Sequence, residues 1–123
     1  MAVNPEFRAF VAELLEPVGR VEIRRMFGGL GIFRDGLMFG LVADETLFLK
    51  ADDLTRAEFE ALGSKPFTYG RKDGRRASLN YMELPETLYD EPDAVIAWAR
   101  KAIDAAHRKE AAKRKPRRKT TAE

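Results

Sequence analysis

Two Asp-Gly dipeptides constrain the fold of this chain more than any other feature of its sequence. Asp35-Gly36 lies between two apolar runs, and Asp73-Gly74 lies between two further runs of the same kind. Asp-Gly favours the two-residue turns in which both central residues have positive φ, and such turns join antiparallel strands. The sequence therefore predicts two β-hairpins, and parallel pairing is excluded within each of them.

The segments around the first turn predict a four-stranded antiparallel meander. Val21 and Ile23 alternate with charged residues, which is typical of a strand with one buried face. Three further strands are expected over residues 30–34, 37–43 and 46–50, with Asp44-Glu45 as the last connecting turn. The second hairpin pairs residues 66–71 with residues 76–84.

Three segments have helical periodicity. Asn4-Pro5-Glu6 has the capping residue, proline and acid of a helix start, and apolar residues then recur at three- and four-residue spacing. A short helix is expected to open at Asp52-Asp53 and to end at Gly63, with Leu54, Ala57, Glu58, Ala61 and Leu62 at helical spacing. A long helix starts at residues 90–93 and ends before Pro116. Its expected buried face consists of Val95, Ile96, Ala99, Ala102, Ile103 and Ala106.

The predicted order α-β-β-β-β-α-β-β-α defines an α+β fold, a two-layer antiparallel sheet with helices on one face. A two-layer fold leaves the second face of the sheet without helical cover. Phe33, Phe39, Phe48 and Tyr69 must be divided between the two faces. Apolar surface is therefore expected on the open face, where a protein partner or a second copy in a twofold dimer would bind.

The net charge of +2 conceals an asymmetry between the body of the chain and its end. Residues 108–123 carry eight Lys or Arg and two Glu, whereas the preceding residues carry fourteen basic and eighteen acidic side chains. Clustered cations bind phosphates without reading base sequence, although a basic tail or hairpin tip is also commonly just solvated. The candidate nucleic-acid contacts are Arg71, Lys72, Arg75 and Arg76 in the second hairpin, and Lys113, Arg114, Lys115, Arg117, Arg118 and Lys119 in the tail.

Nothing in the sequence points to catalysis or to a bound cofactor or metal. Cysteine is absent and His107 is the single histidine, so thiolate zinc sites, cysteine nucleophiles and histidine-pair metal sites are excluded. The adjacent acids at 44–45, 52–53 and 90–91 lie at turns or helix starts, where carboxylates have a local role. The glycines at 28–31 lead into a strand and not into a helix, which favours a β-bulge or a close backbone approach over a phosphate loop. No small-molecule substrate is evident.

No apolar run is long enough to span a membrane, and the first residues lack the pattern of a signal peptide. A cytoplasmic location is therefore expected.

Several blocks of the sequence resemble the TfoX N-terminal domain family, also called TfoX/Sxy. The most distinctive is Arg-Arg-Met-Phe-Gly-Gly-Leu-Gly-Ile-Phe at residues 24–33, and similar blocks occur at 38–41, 49–52, 66–70 and 81–85. The residues of the family motif, to which we assign a structural role, are Arg25, Met26, Phe27, Gly28 and Gly29.

The resemblance covers roughly residues 5–108 and implies a fold like that of secretion chaperones, often dimeric. It also implies a link to regulation of bacterial natural competence, with the transcription machinery as a candidate partner. Full-length competence regulators of this family carry a second, helical domain, where this chain has a short basic tail. The resemblance supplies no catalytic motif, so no catalytic residue is carried over.

We therefore expect a TfoX N-terminal-like domain over residues 1–108 and a basic, disordered tail over residues 109–123. The first hypothesis is a non-enzymatic regulatory or adaptor domain that binds a protein partner, with added attraction of the tail to DNA. The alternative is a direct, non-specific nucleic-acid-binding protein that uses the basic hairpin and the tail. A small-ligand protein would need a deep pocket lined by converging polar groups, and the sequence gives no sign of one.

Overall fold

The structure, a computed structural model, describes residues 4–26, 28–70 and 76–114 of the 123-residue chain, with side chains over 4–26, 28–69 and 80–113. Its elements follow the predicted order. They are α1 (Pro5–Leu15), β1 (Val21–Met26), β2 (Gly29–Arg34), β3 (Leu37–Ala43), β4 (Thr46–Lys50), α2 (Arg56–Ala61), β5 (Pro66–Gly70), β6 (Arg76–Glu83) and α3 (Pro92–Arg114). Short 3₁₀ turns occupy Glu16–Val18 and Glu86–Leu88.

In the described part of the chain, six antiparallel strands form one sheet in the order β1-β2-β3-β4-β6-β5. The first hairpin turns at Asp35 and Gly36, with φ of 55° and 82°, as the Asp-Gly signal predicts. The next turn places Asp44 and Glu45 at φ of 52° and 56°, so this meander uses a left-handed pair without glycine. These turns set the register that decides which side chains share a face of the sheet.

One face of the sheet forms the core. Directly opposite residues in neighbouring antiparallel strands point to the same side, and Ile23, Ile32, Gly40, Leu49 and Met82 form such a row across five strands. Ile32, Leu49 and Met82 are fully buried in this row. Helix α3 packs over β3 and β4, and α1 packs beside α3. The α+β fold with helices on one face is therefore confirmed.

Helix α3 buries the face that its sequence predicts. Val95, Ala99, Ala102, Ile103 and Ala106 belong to the core cluster, and Ile96 packs against it. The helix continues without a break to Arg114, so it runs across the predicted start of the tail at residue 109. Residues 115–123 lie outside the described part of the chain, and the predicted disorder there stays a prediction.

Helix α2 differs from its prediction in both start and phase. It begins at Arg56 and buries Phe59, whereas Leu54 is 68% exposed and Leu62 is 37% exposed. The cause is local, because the Asp52 N–H donates to the Thr55 hydroxyl (3.1 Å) and that hydroxyl donates back to the Asp52 carboxylate (3.3 Å). The exchange folds residues 52–55 into a turn, and the helical phase is set only after it.

Within the described residues, no helix combines the length and the apolar character that crossing a membrane requires.

Candidate interaction surface on the open face of the sheet

Among the described elements, no helix packs on the centre of the second face of the sheet. The register places Arg24, Gly31, Leu41, Phe48 and Glu83 in a single row across β1, β2, β3, β4 and β6. These residues alternate with the buried row, so they point away from the helices. The predicted division of aromatic residues follows: Phe39 is fully buried in the core, and Phe48 lies on the open face.

Aromatic rings cluster where β4 and β5 approach each other on this face. The Phe48 and Phe67 rings meet edge to face with centroids 5.1 Å apart, and Phe67 stacks beside Tyr69 at 6.3 Å. Tyr69 is 41% exposed. It is one of four large apolar or aromatic side chains of the described residues that are exposed to solvent. On the same face, but at the β1 edge of the sheet, the Arg24 guanidinium lies 4.5 Å from the centre of the Phe33 ring. The open face is thus apolar and partly in contact with water.

A groove of about 610 Å³ lies on this face. Its apolar wall includes residues of β1, β3, β5 and β6, among them Met26, Met38, Leu41, Phe67, Tyr69 and Tyr81. The Tyr81 hydroxyl donates a hydrogen bond to the Met38 carbonyl oxygen (3.4 Å), which joins β6 to β3 across the intervening strand. Burial raises the pKa of Tyr81 to about 12, so the hydroxyl keeps its proton and remains a donor.

A buried cation lies at one end of the groove. Lys50 is only 8% exposed, and its Nζ lies 4.8 Å from the centre of the Tyr81 ring. Lys50 is opposite Tyr81 in the register between β4 and β6, so the two side chains share the open face. Burial, and then the positive charge of Lys109, lower the pKa of Lys50; the Asp52 carboxylate partly opposes this, and Lys113 adds to it.

A smaller hollow of about 290 Å³ adjoins the groove, and Lys50 and Lys109 line both. Its other polar lining residues are Asp52, Asp53, Arg56, Asn80 and Arg108. Arg108 donates to both carboxylate oxygens of Asp52, at 2.6 Å from Nε and 3.1 Å from Nη2. This bidentate pair is the main reason that the pKa of Asp52 is lowered, and it raises the pKa of Arg108.

The cations predicted to contact nucleic acid are only partly within the described residues. Arg71, Lys72, Arg75, Lys115, Arg117, Arg118 and Lys119 lie outside them. Arg76 opens β6 opposite Gly70, and Arg114 ends α3, each described by its backbone. Lys113 is exposed on the last turn of α3, 3.9 Å from the Glu110 carboxylate. Whether the hairpin and tail cations share a face stays a prediction.

The residues of the family motif connect β1 to β2. Arg25 and Met26 end β1, Gly28 has φ of 77° in the turn, and Gly29 begins β2. A Cβ atom at Gly29 would overlap the Val42 carbonyl oxygen of β3. The positive φ explains why residue 28 is glycine, and the lack of space beside Val42 explains why residue 29 is glycine. Phe27 lies outside the described residues.

Sequence reasoning missed the side chains that form the end of the groove, Lys50, Tyr81 and Lys109. A signal was present for one of them, because Lys50 follows Leu49 in a strand whose alternation places it on the opposite face. Its pairing with Tyr81 depends on the register between two residues that lie 31 positions apart in the chain, and no local pattern encodes that register.

Among residues 4–26, 28–70 and 76–114, no group of three or more His, Asp or Glu side chains is placed to hold a metal ion. What the described fold and surface define is a small α+β domain, with one face of its sheet closed by helices and the other open and apolar.

The chain belongs to the TfoX N-terminal domain family, whose profile matches residues 13–106. It is 31% identical over 90 residues to the DNA transformation protein TfoX1 of Aliivibrio fischeri (strain ATCC 700601 / ES114). It is 28% identical over 94 residues to Protein Sxy of Escherichia coli (strain K12). The matches cover 73% and 76% of this chain, but only 43% and 44% of those two relatives. The chain therefore spans less than half the length of each.

Proposed function

We propose that this chain is a non-enzymatic regulatory domain of the competence-regulator kind, which acts by binding a protein partner through the open face of its sheet. The observation that carries the proposal is the aromatic surface of Phe48 and Phe67, which are half-buried, and Tyr69, which is exposed. These side chains are not part of the buried core of the isolated chain, and contiguous apolar surface is typical of protein interaction sites.

The family supports the biological side of the proposal. One relative is named for DNA transformation, and its match with this chain includes much of the folded domain. The matching segment is less than half of that relative, so we propose for this chain the partner-binding part of such a role. The same proposal takes the transcription machinery as the candidate source of that protein partner.

Site-specific photocrosslinking in bacterial cells tests the proposal. A photoreactive phenylalanine analogue replaces Tyr69 on the open face in one variant and Leu54 on the surface before α2 in a matched control, since both native side chains are exposed. We expect a crosslinked protein from position 69 and none from position 54. The protein is identified by mass spectrometry, and binding is repeated with both purified proteins.

A second substitution checks that binding depends on the apolar surface. Tyr69→Glu should weaken binding to the purified partner at least tenfold, because it places a charge in the aromatic cluster, whereas Leu54→Glu should leave affinity unchanged. Equal crosslinking from both positions would contradict the proposal. Crosslinks only to other copies of this chain would replace the partner by a homodimer.

Direct binding to nucleic acid is a second candidate, and one observation favours it. Lys109 and Lys113, on the last two turns of α3, both lower the pKa of Lys50, so positive charge accumulates at this end of the molecule. Accumulated positive charge attracts phosphates without base specificity.

A further inference from the structure

The end of the groove combines a buried cation with an apolar wall, and this combination points to a ligand. Lys50 is more than nine-tenths buried and lines the groove with its side chain over the Tyr81 ring. Among the described residues, the ion pairs within 4.0 Å do not include Lys50. No buried side-chain nitrogen of the described residues lacks a partner, so the ammonium group of Lys50 is open to the groove, where an anion can reach it.

Asp52, the acid that acts on the pKa of Lys50, does not fill this role. Asp52 gives both its carboxylate oxygens to Arg108, at 2.6 Å and 3.1 Å. Lys109 lines the same junction and adds a second positive charge, which is one cause of the lowered pKa of Lys50. The junction of the two hollows is therefore positive on the groove side, and its cations are complementary to an incoming anion.

The number of charges on that anion is limited by the second hollow. It is lined by Lys50, Lys109, Asp53 and two residues that are already in ion pairs, Asp52 with Arg108 and Arg56 with Glu60. The charges left over are Lys50, Lys109 and Asp53, a net of one positive charge, which one negative charge balances and two exceed. A single carboxylate therefore fits this position better than a phosphate.

The rest of the groove determines the size and the apolar character of the ligand. Met38, Leu41, Phe67 and Tyr81 supply apolar wall, and the volume of about 610 Å³ lies within the range of sites for small organic molecules. Methionine side chains adapt to ligands of varied shape.

We propose that the groove binds a small amphiphilic carboxylate, with its carboxylate group at Lys50 and Lys109 and its alkyl or aryl body along the open face of the sheet. This site does not rest on the proposed protein partner, because ligand binding is measured with the isolated chain. The two proposals meet at Tyr69, which lines the groove and belongs to the aromatic cluster, so an occupied groove would change the surface offered to the partner.

Three probes of equal chain length test the charge and the apolar body separately. Decanoate, decanol and decyltrimethylammonium are titrated into the full chain by calorimetry, below the concentrations at which they form micelles. We expect decanoate to bind with one site per chain and at least tenfold more tightly than decanol. Decyltrimethylammonium should bind more weakly than decanol, since its charge is repelled by the same lysines.

A methionine-based measurement on the unaltered chain locates the site. The chain has four methionines, of which Met26 and Met38 line the groove while Met82 is fully buried in the core. With ¹³C-labelled methionine methyl groups, decanoate should shift the NMR signals of Met26 and Met38 and leave Met82 in place. Shifts of all signals together, or none of them, would overturn the groove as the site.

The charge is then removed by Lys50→Met, which keeps the length of the side chain, with Lys65→Met as a matched control on an exposed lysine away from the groove. We expect Lys50→Met to weaken decanoate at least tenfold while decanol is unchanged, and Lys65→Met to change neither. Equal affinity for decanoate and decanol in the unaltered chain would mean nonspecific apolar adhesion. Saturable binding of an acidic peptide without any decanoate binding would replace the small ligand by a protein segment.

Discussion

Gly29 and Gly31 lie two positions apart in β2, and neither has room for a side chain, but different atoms fill the space. At Gly29 the obstacle is the carbonyl oxygen of Val42, part of the backbone of β3. At Gly31 it is the sulfur of Met26, with the Phe33 ring 3.0 Å from the position of the missing Cβ. A backbone atom inside a sheet is held by its neighbours, whereas a methionine side chain adopts other rotamers.

This difference predicts unequal costs for the same substitution. Gly29→Ala should lower the free energy of unfolding by about 1–3 kcal/mol, because the sheet itself must shift to accept the methyl group. Gly31→Ala should cost clearly less, because Met26 can turn away. Urea denaturation of both variants measures the difference, and equal losses would show that Met26 is as rigidly held as the strand.

At the scale of elements, α2 is attached to the core mainly through Phe59. Its ring is fully buried and contacts the Trp98 ring of α3 with centroids 4.7 Å apart. Phe59→Ala should lower the free energy of unfolding by about 3–5 kcal/mol, as for other buried phenylalanines. Leu54→Ala, in the turn before the same helix, should change it by about 0.5 kcal/mol or less. Thermal or urea unfolding distinguishes these values, and a similar loss in both variants would contradict the observed phase of the helix.

The start of α2 is also tied to the end of α3, by the ion pair between Asp52 and Arg108. Asp52→Asn should lower the free energy of unfolding by about 1 kcal/mol or less at neutral pH, since the Arg108 side chain is 40% exposed and solvent screens the pair.

The effect of that substitution should depend on pH. The pKa of Asp52 lies below its ordinary value of 3.8, so the unfolded chain binds the proton more readily than the folded one. The stabilisation is therefore complete above pH 3.8 and is lost as the pH falls through the lower, folded value. Unfolding curves from neutral pH down to strongly acidic pH should show the variant and the unaltered chain converging at the acid end. A difference that stays constant over this range would contradict the ion pair as its source.

The elements that were predictable from sequence are those whose cause is local. Asp35-Gly36 fixes a turn by the conformations of its own two residues, and the alternation of Val21 and Ile23 needs only one buried face. The phase of α2 was not predictable in this way, because the exchange of hydrogen bonds between Asp52 and Thr55 competes with a helical start at the same residues.

The candidate site was harder to predict than the fold. The alternation along the strands indicated an apolar open face and required the aromatic residues to be divided between the two faces. The end of the groove requires Lys50 of β4 to lie opposite Tyr81 of the neighbouring strand β6. It also requires the last turns of α3 to bring Lys109 to the same groove. Those neighbours are set by the register of the sheet and by the packing of α3, which are properties of the folded chain.

At the scale of the whole molecule, the basic residues beyond α3 are separable from the folded domain. A truncation after Arg114 removes Lys115, Arg117, Arg118 and Lys119 but leaves the pair between Arg108 and Asp52 intact. If the tail binds DNA, the full chain should bind a duplex of arbitrary sequence with an affinity that falls steeply with salt. The truncated chain should bind more weakly, with a salt slope smaller by about 0.9 for each phosphate that the removed cations neutralise.

Fluorescence anisotropy with a labelled duplex, over a series of salt concentrations, measures both slopes. Equal slopes for the two chains would exclude the removed cations and leave Lys113, Arg114 and the cations of the second hairpin as the remaining candidates. Absence of binding by either chain at low salt would exclude direct DNA contact as the main activity.

The order of elements along the chain has a consequence for synthesis on the ribosome. The meander of β1 to β4 consists of neighbouring hairpins, so it can pair as soon as residues 21–50 have emerged. Its buried row is covered mainly by α3, the last element of the described fold. Until α3 emerges, the nascent chain has two apolar sheet faces where the finished molecule has one. A chain released before α3 is made therefore combines a paired sheet with an uncovered core, and it should be a substrate for chaperones or proteases.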